Sequence, residues 1–263
     1  MNWLEALILG IIQGLTEFLP VSSSGHLEIG KVILGVEAER SLIFTVLVHG
    51  ATVMSTIVIF WRDILLLIRG LFSFRWNEET KFIFKIIISM IPVAIVGLFF
   101  KEEVELFFTG NLILVGSMLL LTATLLLFTR FKKSNERSIG FLDSFVIGLA
   151  QAVAVIPGIS RSGSTISAGL MLGNKRAEVA KFSFLMVLIP IIGANLKDLL
   201  DGEFVSEGSI GIIPLIVGFV AAFVTGLLAC KWMIGIVKKG KLIYFSIYCY
   251  IVGSIAILSG IFT

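Results

Sequence analysis

The sequence predicts an all-α integral membrane protein with six transmembrane helices and two re-entrant helical hairpins in an inverted-topology repeat. Of its 263 residues, 57% are hydrophobic and 15% are charged, whereas soluble proteins have about 45–50% apolar and about 25% charged residues. Several apolar runs approach or exceed the roughly 20 residues that a helix needs to cross a bilayer, and membrane strands would instead alternate in segments of about ten. The third observation is a repeat within the chain.

The repeat relates residues 10–35 to residues 148–173 without a gap, at an offset of 138 positions. Identical residues stand at the aligned pairs Gly10/Gly148, Gln13/Gln151, Ser22/Ser160, Ser24/Ser162, Gly25/Gly163, Leu34/Leu172 and Gly35/Gly173. Such self-similarity indicates one structural unit that is used twice. We therefore expect a single membrane domain over residues 1–263, with a first inverted repeat at 1–130 and a second at 138–263.

The first half begins with two short helical patterns and continues with longer apolar runs. Leu4–Pro20 is apolar for about 17 residues, and a second pattern follows Val21-Ser-Ser-Ser-Gly and ends near Gly35. Neither arm spans a bilayer comfortably, so the pair predicts a hairpin. Spanning helices are predicted at Ser41–Trp61, Ile83–Phe100 and Asn111–Phe128. The basic segment 62–85 contains a short apolar piece that suits the membrane interface.

The second half repeats this order. The short patterns Phe141–Pro157 and Ser162–Gly173 predict a second hairpin. Spanning helices are predicted at Phe182–Leu200, Ile210–Ala229 and Leu242–Phe262. Non-helical backbone at membrane depth survives only when it is buried in protein or lines a wet cavity, and inverted repeats bring such broken elements together. We therefore expect the tips of the two hairpins to meet.

The distribution of Lys and Arg predicts the orientation, because basic loops stay in the cytoplasm. All but five of the 21 Lys and Arg residues then lie on that side, and the exceptions are Lys31, Arg40, Lys101, Arg161 and Lys197. Three spans separate the hairpins, so the first enters from outside, the second enters from the cytoplasm, and both termini are outside. The N-terminus lacks the basic region of a signal peptide, so no cleavage is expected. Cys230 and Cys249 lie in apolar runs and are expected to be packing residues.

The first predicted tip carries many polar residues for such an apolar chain. Gln13 and Glu17 are four residues apart, so on one helix both project from the same face. A carboxylate at membrane depth costs about 2.5–3.5 kcal/mol on insertion scales, which favours a wet or metal-bound setting for Glu17. Snorkelling of this carboxylate to the membrane interface is the alternative.

Three consecutive serines follow in the same tip. One of Ser22, Ser23 and Ser24 is expected to cap the next helix, and the free amides of a helix N-terminus also form an anion site. His26 lies three residues after Ser23, within reach of its hydroxyl on a first helical turn. Donation from His26 to a backbone carbonyl is the alternative.

The second predicted tip contains Arg161, the only Arg predicted at membrane depth, within Ser160-Arg161-Ser162-Gly163. An unpaired Arg is expensive there. Its planar guanidinium among hydroxyls and amides suits bidentate phosphate binding, with pairing to Glu17 as the alternative. His49, in the first span, is expected to pack or to support other residues rather than to catalyse. Gly25 and Gly163 fit a tight turn and close backbone approach.

Two motifs resemble the signatures of the undecaprenyl-diphosphate phosphatases, also called bacitracin-resistance proteins. They read Gln13-Gly-Leu-Thr-Glu17-Phe-Leu-Pro20-Val-Ser-Ser-Ser-Gly25-His26 and Pro157-Gly-Ile-Ser160-Arg161-Ser-Gly163. The similarity extends over essentially the whole chain. It implies hydrolysis of the terminal phosphate of undecaprenyl diphosphate, which gives the monophosphate that carries cell-wall precursors. It also implies a multi-pass protein of the bacterial inner (plasma) membrane, with an active site open to the outer side.

The resemblance marks Glu17, Ser23, His26 and Arg161 as catalytic. Further substrate-binding residues are expected among the other polar and glycine positions of both tips: Gln13, Ser22, Ser24, Gly25, Ser160, Ser162, Gly163 and Ser164. The first acidic position of the family admits Glu or Gln, and Gln13 stands there in this chain. Glu17 is therefore the better metal ligand or base.

A divalent cation, Mg²⁺ or Ca²⁺, is expected to bridge oxygens of the diphosphate with Glu17 as a ligand. The reason is that Arg161 alone cannot neutralise the several negative charges of a diphosphate. The expected partners are the polyprenyl diphosphate substrate and membrane lipid, with a homodimer as a further partner and no nucleic acid.

We favour Ser23 as the nucleophile, with His26 accepting its proton. In the rival scheme the imidazole of His26 attacks phosphorus directly. A prenyl-phosphate transporter or flippase is the alternative from a different class, because an inverted repeat with facing broken helices would suit one. A carrier does not need a Ser-His couple beside Glu and Arg, so the sequence favours the enzyme.

Overall fold

The computed structural model describes residues 1–36, 42–107, 111–131, 136–193 and 210–262, and within these ranges it is all-α apart from an isolated β-bridge between Arg137 and Asn174. Its helices are α1 (Trp3–Phe18), α2 (Ser23–Leu34), α3 (Leu42–Ile59), α4 (Trp61–Leu71), α5 (Glu78–Phe99), α6 (Lys101–Glu105), α7 (Leu112–Phe128), α8 (Phe141–Val153), α9 (Arg161–Met171), α10 (Arg176–Met186), α11 (Ile212–Lys239) and α12 (Ile243–Phe262). The predicted all-helical class is confirmed.

Among the described residues, three helices, α5, α11 and α12, are long and apolar enough to cross a membrane by length and composition. Only 17% of the apolar window of α5 and 28% of those of α11 and α12 is buried, so their side chains form an outer surface suited to lipid. The pair α3 and α4 could supply a fourth span, although its two helices are bent by 75°. These features are those of an integral membrane protein.

The count of six spans stays a prediction. Helix α7, where the third span is predicted, has 17 residues. The predicted span Phe182–Leu200 continues into residues 194–200, which lie outside the described ranges, as do Arg40, Ser41 and Lys197. Length and composition of the described helices therefore support several spans without fixing their number.

Two pairs of short helices pack at the positions of the predicted hairpins, α1 against α2 and α8 against α9. Their re-entry into a membrane stays a prediction. The arms have 16 and 12 residues in the first pair and 13 and 11 in the second. At 1.5 Å per residue the longest arm is about 24 Å, which is shorter than the roughly 30 Å of hydrocarbon in a bilayer. The arms are too short to span, as predicted.

The two halves of the chain pack through equivalent helices. Helix α1 packs against α11, and its repeat counterpart α8 packs against α5, the counterpart of α11. Aligned glycines allow close approach at both places, where Gly10 lies against Gly218 and Gly148 lies against Ser89. A twofold repeat would produce this pairing, and the division into residues 1–130 and 138–263 stays a prediction.

Segments assigned to the cytoplasm by their charge contact one another. Lys181 Nζ donates to Asp63 Oδ1 at 2.5 Å and joins α10 to α4, a helix without buried residues. The backbone N–H of Lys175 donates to the carbonyl of Arg137 at 2.9 Å. The basic segments that contain Asp63, Arg137 and Lys181 are thus linked by direct contacts, and their cytoplasmic location stays a prediction.

The largest buried apolar cluster of the described residues joins the second hairpin to α10 and α11 and includes Phe184. The ring of Phe184 meets that of Phe18, at the end of α1, edge to face with 5.8 Å between ring centres. This contact fixes the end of the first hairpin against α10. Cys230 and Cys249 are buried and free, as expected for packing residues.

Candidate active site

The tips of the two hairpins meet, as predicted, and an ion pair joins them. Arg161 Nη2, at the start of α9, donates to Glu17 Oε1, near the end of α1, at 2.5 Å. Ser162 Oγ donates to the carbonyl of Leu19 at 3.2 Å. The pairing of Arg161 with Glu17, which the sequence leaves as an alternative, is present in this structure.

Glu17 is 8% exposed, and three side chains satisfy its carboxylate. Its Oε2 accepts from Ser23 Oγ at 2.7 Å and from Gln13 Nε2 at 3.0 Å, while Arg161 binds Oε1. A buried carboxylate is costly unless hydrogen bonds and an opposite charge compensate for the lost water. Glu17 therefore does not snorkel to the surface and instead organises the site.

One serine in each tip caps the helix that follows, and the two caps are built alike. Ser22 Oγ accepts from the backbone N–H of Gly25 at 3.2 Å, and Ser160 Oγ accepts from that of Gly163 at 3.0 Å. Matching hydroxyl contacts of 3.3 Å follow in both tips, at Ser22–Ser24 and Ser160–Ser162. Because Ser22 makes the cap, the hydroxyl of Ser23 is available for another contact.

The backbone at Ser22 is strained, with a φ of 69° that residues other than glycine rarely adopt. His26 holds this conformation with two contacts to one carbonyl. Its backbone N–H donates to the Ser22 carbonyl at 3.1 Å, and its Nδ1 lies 2.9 Å from the same oxygen. The peptide that precedes Ser23 is thereby fixed.

The expected couple between Ser23 and His26 is not formed, and this expectation is corrected. A carbonyl can only accept, so Nδ1 of the neutral ring carries the proton that faces Ser22. Nε2 then accepts from Tyr248 Oη, 2.8 Å away on α12, and the two rings stack at 14°. Donation of His26 to a carbonyl, the alternative from the sequence, is confirmed, while Ser23 donates to Glu17.

Gly25 and Gly163 allow the two tips to approach closely. A Cβ added at Gly25 would lie 3.1 Å from Cα of Gly158, and one added at Gly163 would lie 3.3 Å from Cβ of Pro20. Both distances are tighter than ordinary van der Waals contact. The expected close backbone approach is confirmed for Gly25, whereas Gly163 makes room for the side chains of Ser160 and Pro20.

A cavity of about 410 Å³ lies beside the ion pair. Glu17, Ser23 and Arg161 form its most polar wall. The other lining residues are Ser24, Thr45, Val46, His49, Val93, Gln151, Ala154, Val155, Ile159, Val187, Pro190 and Ile191. Most of these side chains are apolar, so the cavity combines one charged, hydroxyl-bearing wall with hydrocarbon elsewhere.

Three polar residues of the cavity, Thr45, His49 and Gln151, are absent from the predicted site. His49 Nε2 lies 3.9 Å from Glu17 Oε2, and its Nδ1 lies 2.8 Å from the carbonyl of Thr45. This placement depends on how α3 packs beside the first hairpin, and no local pattern reveals it. For Gln151, its identity with Gln13 in the repeat is the sequence signal that points to it.

The predicted substrate-binding residues fall into two groups. Ser24 lines the cavity together with Ser23. The others lie outside the lining, and all but Ser164 take part in caps or hydrogen bonds within the tips: Gln13, Ser22, Gly25, Ser160, Ser162, Gly163 and Ser164. The Ser164 hydroxyl is buried and makes no hydrogen bond to any described residue. Direct binding by this second group stays a prediction.

The described residues contain no group of three or more His, Cys, Asp or Glu side chains that could hold a metal ion. Within the described ranges Glu17 is the one carboxylate on the cavity wall. Mg²⁺ and Ca²⁺ require several oxygen ligands, and Mg²⁺ sites often combine one or two carboxylates with substrate phosphates. The donor set does not fit a resident ion, but it fits an ion that arrives with phosphate oxygens.

Comparison with known proteins gives one family and close relatives. Residues 6–255 match the family described as Bacitracin resistance protein BacA. A protein of Bacteroides fragilis named Undecaprenyl-diphosphatase is 59% identical over 262 residues, which cover 98% of each chain. A protein of the same name from Parabacteroides distasonis is 59% identical over 261 residues, with 98% of each chain covered. One from Methanobrevibacter smithii is 36% identical over 277 residues, with 99% of each chain covered.

Proposed function

The chain belongs to the Bacitracin resistance protein BacA family, and from that premise we propose that it is an undecaprenyl-diphosphatase. It hydrolyses undecaprenyl diphosphate to undecaprenyl phosphate and inorganic phosphate. This reaction recycles the lipid carrier for peptidoglycan and cell-wall synthesis and confers resistance to bacitracin. The observation that carries the proposal is the Ser23 hydroxyl, which donates to the Arg161-paired carboxylate of Glu17 on the wall of a largely apolar cavity.

The cavity offers a partner for each part of a lipid diphosphate. Arg161 supplies a planar cation for the anionic head group. Helices α2 and α9 both begin at this wall, and the amides of helix N-termini bind phosphate. The apolar side chains of Val93, Val187 and Ile191 line the same cavity and suit the start of the hydrocarbon tail.

Ser23 Oγ is the nucleophile of the proposed reaction. Its proton points to Glu17 Oε2, so Glu17 takes it as general base while Oγ bonds to the terminal phosphorus. The bond from phosphorus to the bridging oxygen breaks, and undecaprenyl phosphate leaves with the electron pair and the proton held by Glu17. Glu17 then takes a proton from a water whose oxygen bonds to the phosphorus of the phosphoserine. The bond from phosphorus to Ser23 Oγ breaks, Oγ regains its proton from Glu17, and inorganic phosphate is released.

Arg161 changes partner when the substrate binds. In the free protein its guanidinium neutralises Glu17. A diphosphate carries more negative charge and attracts the guanidinium away from the carboxylate. Glu17 then becomes a stronger base as Arg161 stabilises the charge on the transferred phosphoryl group.

His26 acts through the backbone and not on the substrate. It lies outside the cavity lining, and both of its ring nitrogens are engaged by Ser22 and Tyr248. Its contact with the Ser22 carbonyl holds the strained peptide that aims Ser23 at Glu17. We therefore assign His26 as a positioning residue.

A divalent cation, Mg²⁺ or Ca²⁺, is part of the proposal as an ion carried by the substrate. Glu17 would be its protein ligand, and the bound ion would neutralise charge on the diphosphate. Residues of the chain itself perform each step of the proposed phosphate hydrolysis.

We propose the bacterial inner membrane as the location, with six spans, two re-entrant hairpins, both termini outside and the cavity open to the outer side. His49 lies in the first half of α3, which starts outside in this orientation. Val93 lies late in α5, which starts at the basic side. Both line the cavity, which supports an outward opening.

Membrane lipid and a homodimer are the further proposed partners.

The experiment measures inorganic phosphate released from a prenyl diphosphate by the detergent-solubilised protein. The wild type should turn over, and Ser23→Ala and Glu17→Gln should each lose activity by about a hundredfold or more, as for loss of other catalytic groups. Ser117→Ala is the matched control, because Ser117 Oγ only donates to the carbonyl of Ile113 in its own helix. It should keep wild-type turnover.

Two outcomes would contradict the proposal. A transporter or flippase in detergent releases no phosphate, so absence of release from the wild type would favour that alternative class. A phospho-enzyme trapped during turnover should map to Ser23 by mass spectrometry. An acid-labile phosphohistidine at His26 would overturn the assignment of the nucleophile.

A further inference from the structure

Gln151 presents a buried amide group to the cavity without a strong partner. It lies on α8, is 3% exposed and lines the cavity that contains Glu17 and Arg161. Its Oε1 has no hydrogen-bond partner among the described residues. Its Nε2 lies 4.0 Å from Met90 Sδ, a weak acceptor at long range. The Nε2 donor therefore lacks a strong acceptor, and an acceptor supplied by a ligand would be favourable.

The internal repeat explains why this amide lacks an acceptor. In the first hairpin, Gln13 Nε2 donates to Glu17 Oε2 at 3.0 Å. Gln151 is the counterpart of Gln13, and the counterpart of Glu17 is Val155. Val155 cannot accept a hydrogen bond, and it also lines the cavity. The second hairpin thus keeps the glutamine, but Val155 stands in place of the carboxylate that accepts the amide hydrogen bond in the first hairpin.

The replacement also changes the charge of the cavity. A carboxylate at position 155 would repel a diphosphate, as two like charges at short range do. With Val155 in its place, the cavity side of α8 presents a neutral donor beside Arg161. An anion can approach this side without meeting a second carboxylate.

We propose that Gln151 is a substrate-binding residue whose Nε2 donates to an oxygen of the diphosphate head group. This inference rests on the proposed function and deepens it. The first hairpin then supplies the nucleophile and its base, and the second supplies two donors to the phosphates, Arg161 and Gln151.

The test compares Gln151→Met, which keeps length and loses both polar atoms, with Gln151→Glu, which places an anion at the same position. Met90→Leu is the matched control, because it removes the sulfur contact of Gln151 and leaves the amide. We expect KM for a prenyl diphosphate to rise about tenfold in Gln151→Met and further in Gln151→Glu, with a smaller change in kcat. Met90→Leu should keep the wild-type KM.

A second readout does not depend on turnover. Inorganic pyrophosphate should raise the melting temperature of the solubilised wild type, because a ligand of the folded state stabilises it. The shift should shrink in Gln151→Met and disappear in Gln151→Glu, with size-exclusion profiles confirming that both variants fold.

A wild-type KM and a wild-type pyrophosphate shift in Gln151→Met would overturn the inference. An equal rise in KM from Met90→Leu would do so too, because packing would then explain the effect. Failure of the wild type to release phosphate would contradict the proposed function but not this inference. In that case, loss of the pyrophosphate-induced rise in melting temperature in Gln151→Met would still identify Gln151 as a diphosphate ligand.

Discussion

Glu17 controls how the individual residues of the site divide their roles, because Arg161, Ser23 and Gln13 all donate to its two oxygens. A buried ion pair adds little net stability, since loss of hydration offsets much of the attraction. Removing one partner is far more damaging, because the other charge is left buried and alone. The pair therefore suits exchange with a charged substrate better than it suits stabilisation of the fold.

Arg161→Lys should lower kcat/KM by about 10²–10³-fold, the range for loss of one charge-stabilising donor. Lys keeps the charge but loses the planar pair of donors that matches a phosphate. Arg137→Lys is the matched control, because Arg137 pairs with Asp143 at 2.6 Å outside the cavity. Phosphate release measures both variants, and near wild-type turnover in Arg161→Lys would show that this residue acts only as a point charge.

His26→Asn should retain clearly more activity than His26→Ala. The Asn amide places a donor close to the position of Nδ1 and can still bind the Ser22 carbonyl, whereas Ala leaves that strained peptide unsupported. The loss in His26→Ala should be about 10- to 100-fold, as expected for one buried hydrogen bond. Steady-state kinetics over a range of pH supply the measurement.

The comparison of His26→Asn with His26→Ala distinguishes a positioning role of His26 from a role in proton transfer. If His26 positions Ser23, His26→Asn keeps the shape of the wild-type pH profile. Equal losses in both variants, together with disappearance of the acidic limb of the profile, would restore His26 as the base.

If a divalent cation arrives with the diphosphate, as proposed, chelation by EDTA should abolish turnover and added Mg²⁺ or Ca²⁺ should restore it. The melting temperature of the substrate-free protein should not change in EDTA, since the described residues form no resident site. Phosphate release and thermal unfolding measure the two effects. Full activity in EDTA would leave Glu17 as a base and as the partner of Arg161 only.

At the scale of the elements, the hairpins depend on small residues that let helices approach. Membrane helices associate through such residues because lipid tails provide no hydrophobic drive between them. Gly10 and Gly14 on α1 face Gly218 and Ala222 on α11. This contact holds the arm that carries Glu17, so packing between elements sets the geometry of the site.

Gly14→Ala should destabilise the protein by about 1–3 kcal/mol, the usual effect of overpacking. The added Cβ would collide with Thr225 Oγ1 and the carbonyl of Ala222. Gly97→Ala is the matched control, because a Cβ there meets nothing within 4 Å. Thermal unfolding in detergent should show a lower melting temperature for Gly14→Ala alone, and equal values for the two variants would contradict the packing argument.

At the scale of the whole molecule, many exposed apolar side chains lie on the candidate spans, and many basic side chains lie in or near the segments that connect helices. The candidate spans expose most of their apolar surface, as lipid-facing helices do. The linked basic segments form one face, which suits the anionic inner leaflet of a membrane. The orientation follows if that face is cytoplasmic.

Single cysteines test this orientation in cells. A cysteine at Glu103, which is exposed, should react with an impermeant maleimide added from outside, and one at Lys239 should react only after lysis. Cys230 and Cys249 are buried and give little background. A cysteine at Glu207, which lies outside the described residues, should label like the one at Glu103. Labelling of positions 103 and 207 from opposite sides would show that the inverted repeat is wrong.

The sequence by itself determined the membrane class, the two hairpins and the meeting of their tips. The hydrophobic composition and the length of the apolar runs indicate a lipid environment, and an internal repeat indicates that one local structure is used twice. Both features can be recognised in the sequence without a tertiary structure. The same reasoning located Glu17, Ser23 and Arg161, because polar residues in an apolar chain are conspicuous wherever they stand.

Only the tertiary structure decided which of these groups touch. Ser23 and His26 are neighbours on one helical turn, yet Ser23 donates to Glu17 and His26 contacts Tyr248, 222 residues away. His49 reaches Glu17 through the packing of α3. A hydroxyl or an imidazole has several partners within reach, and the choice among them depends on which distant helices pack alongside, a long-range property that local patterns do not encode.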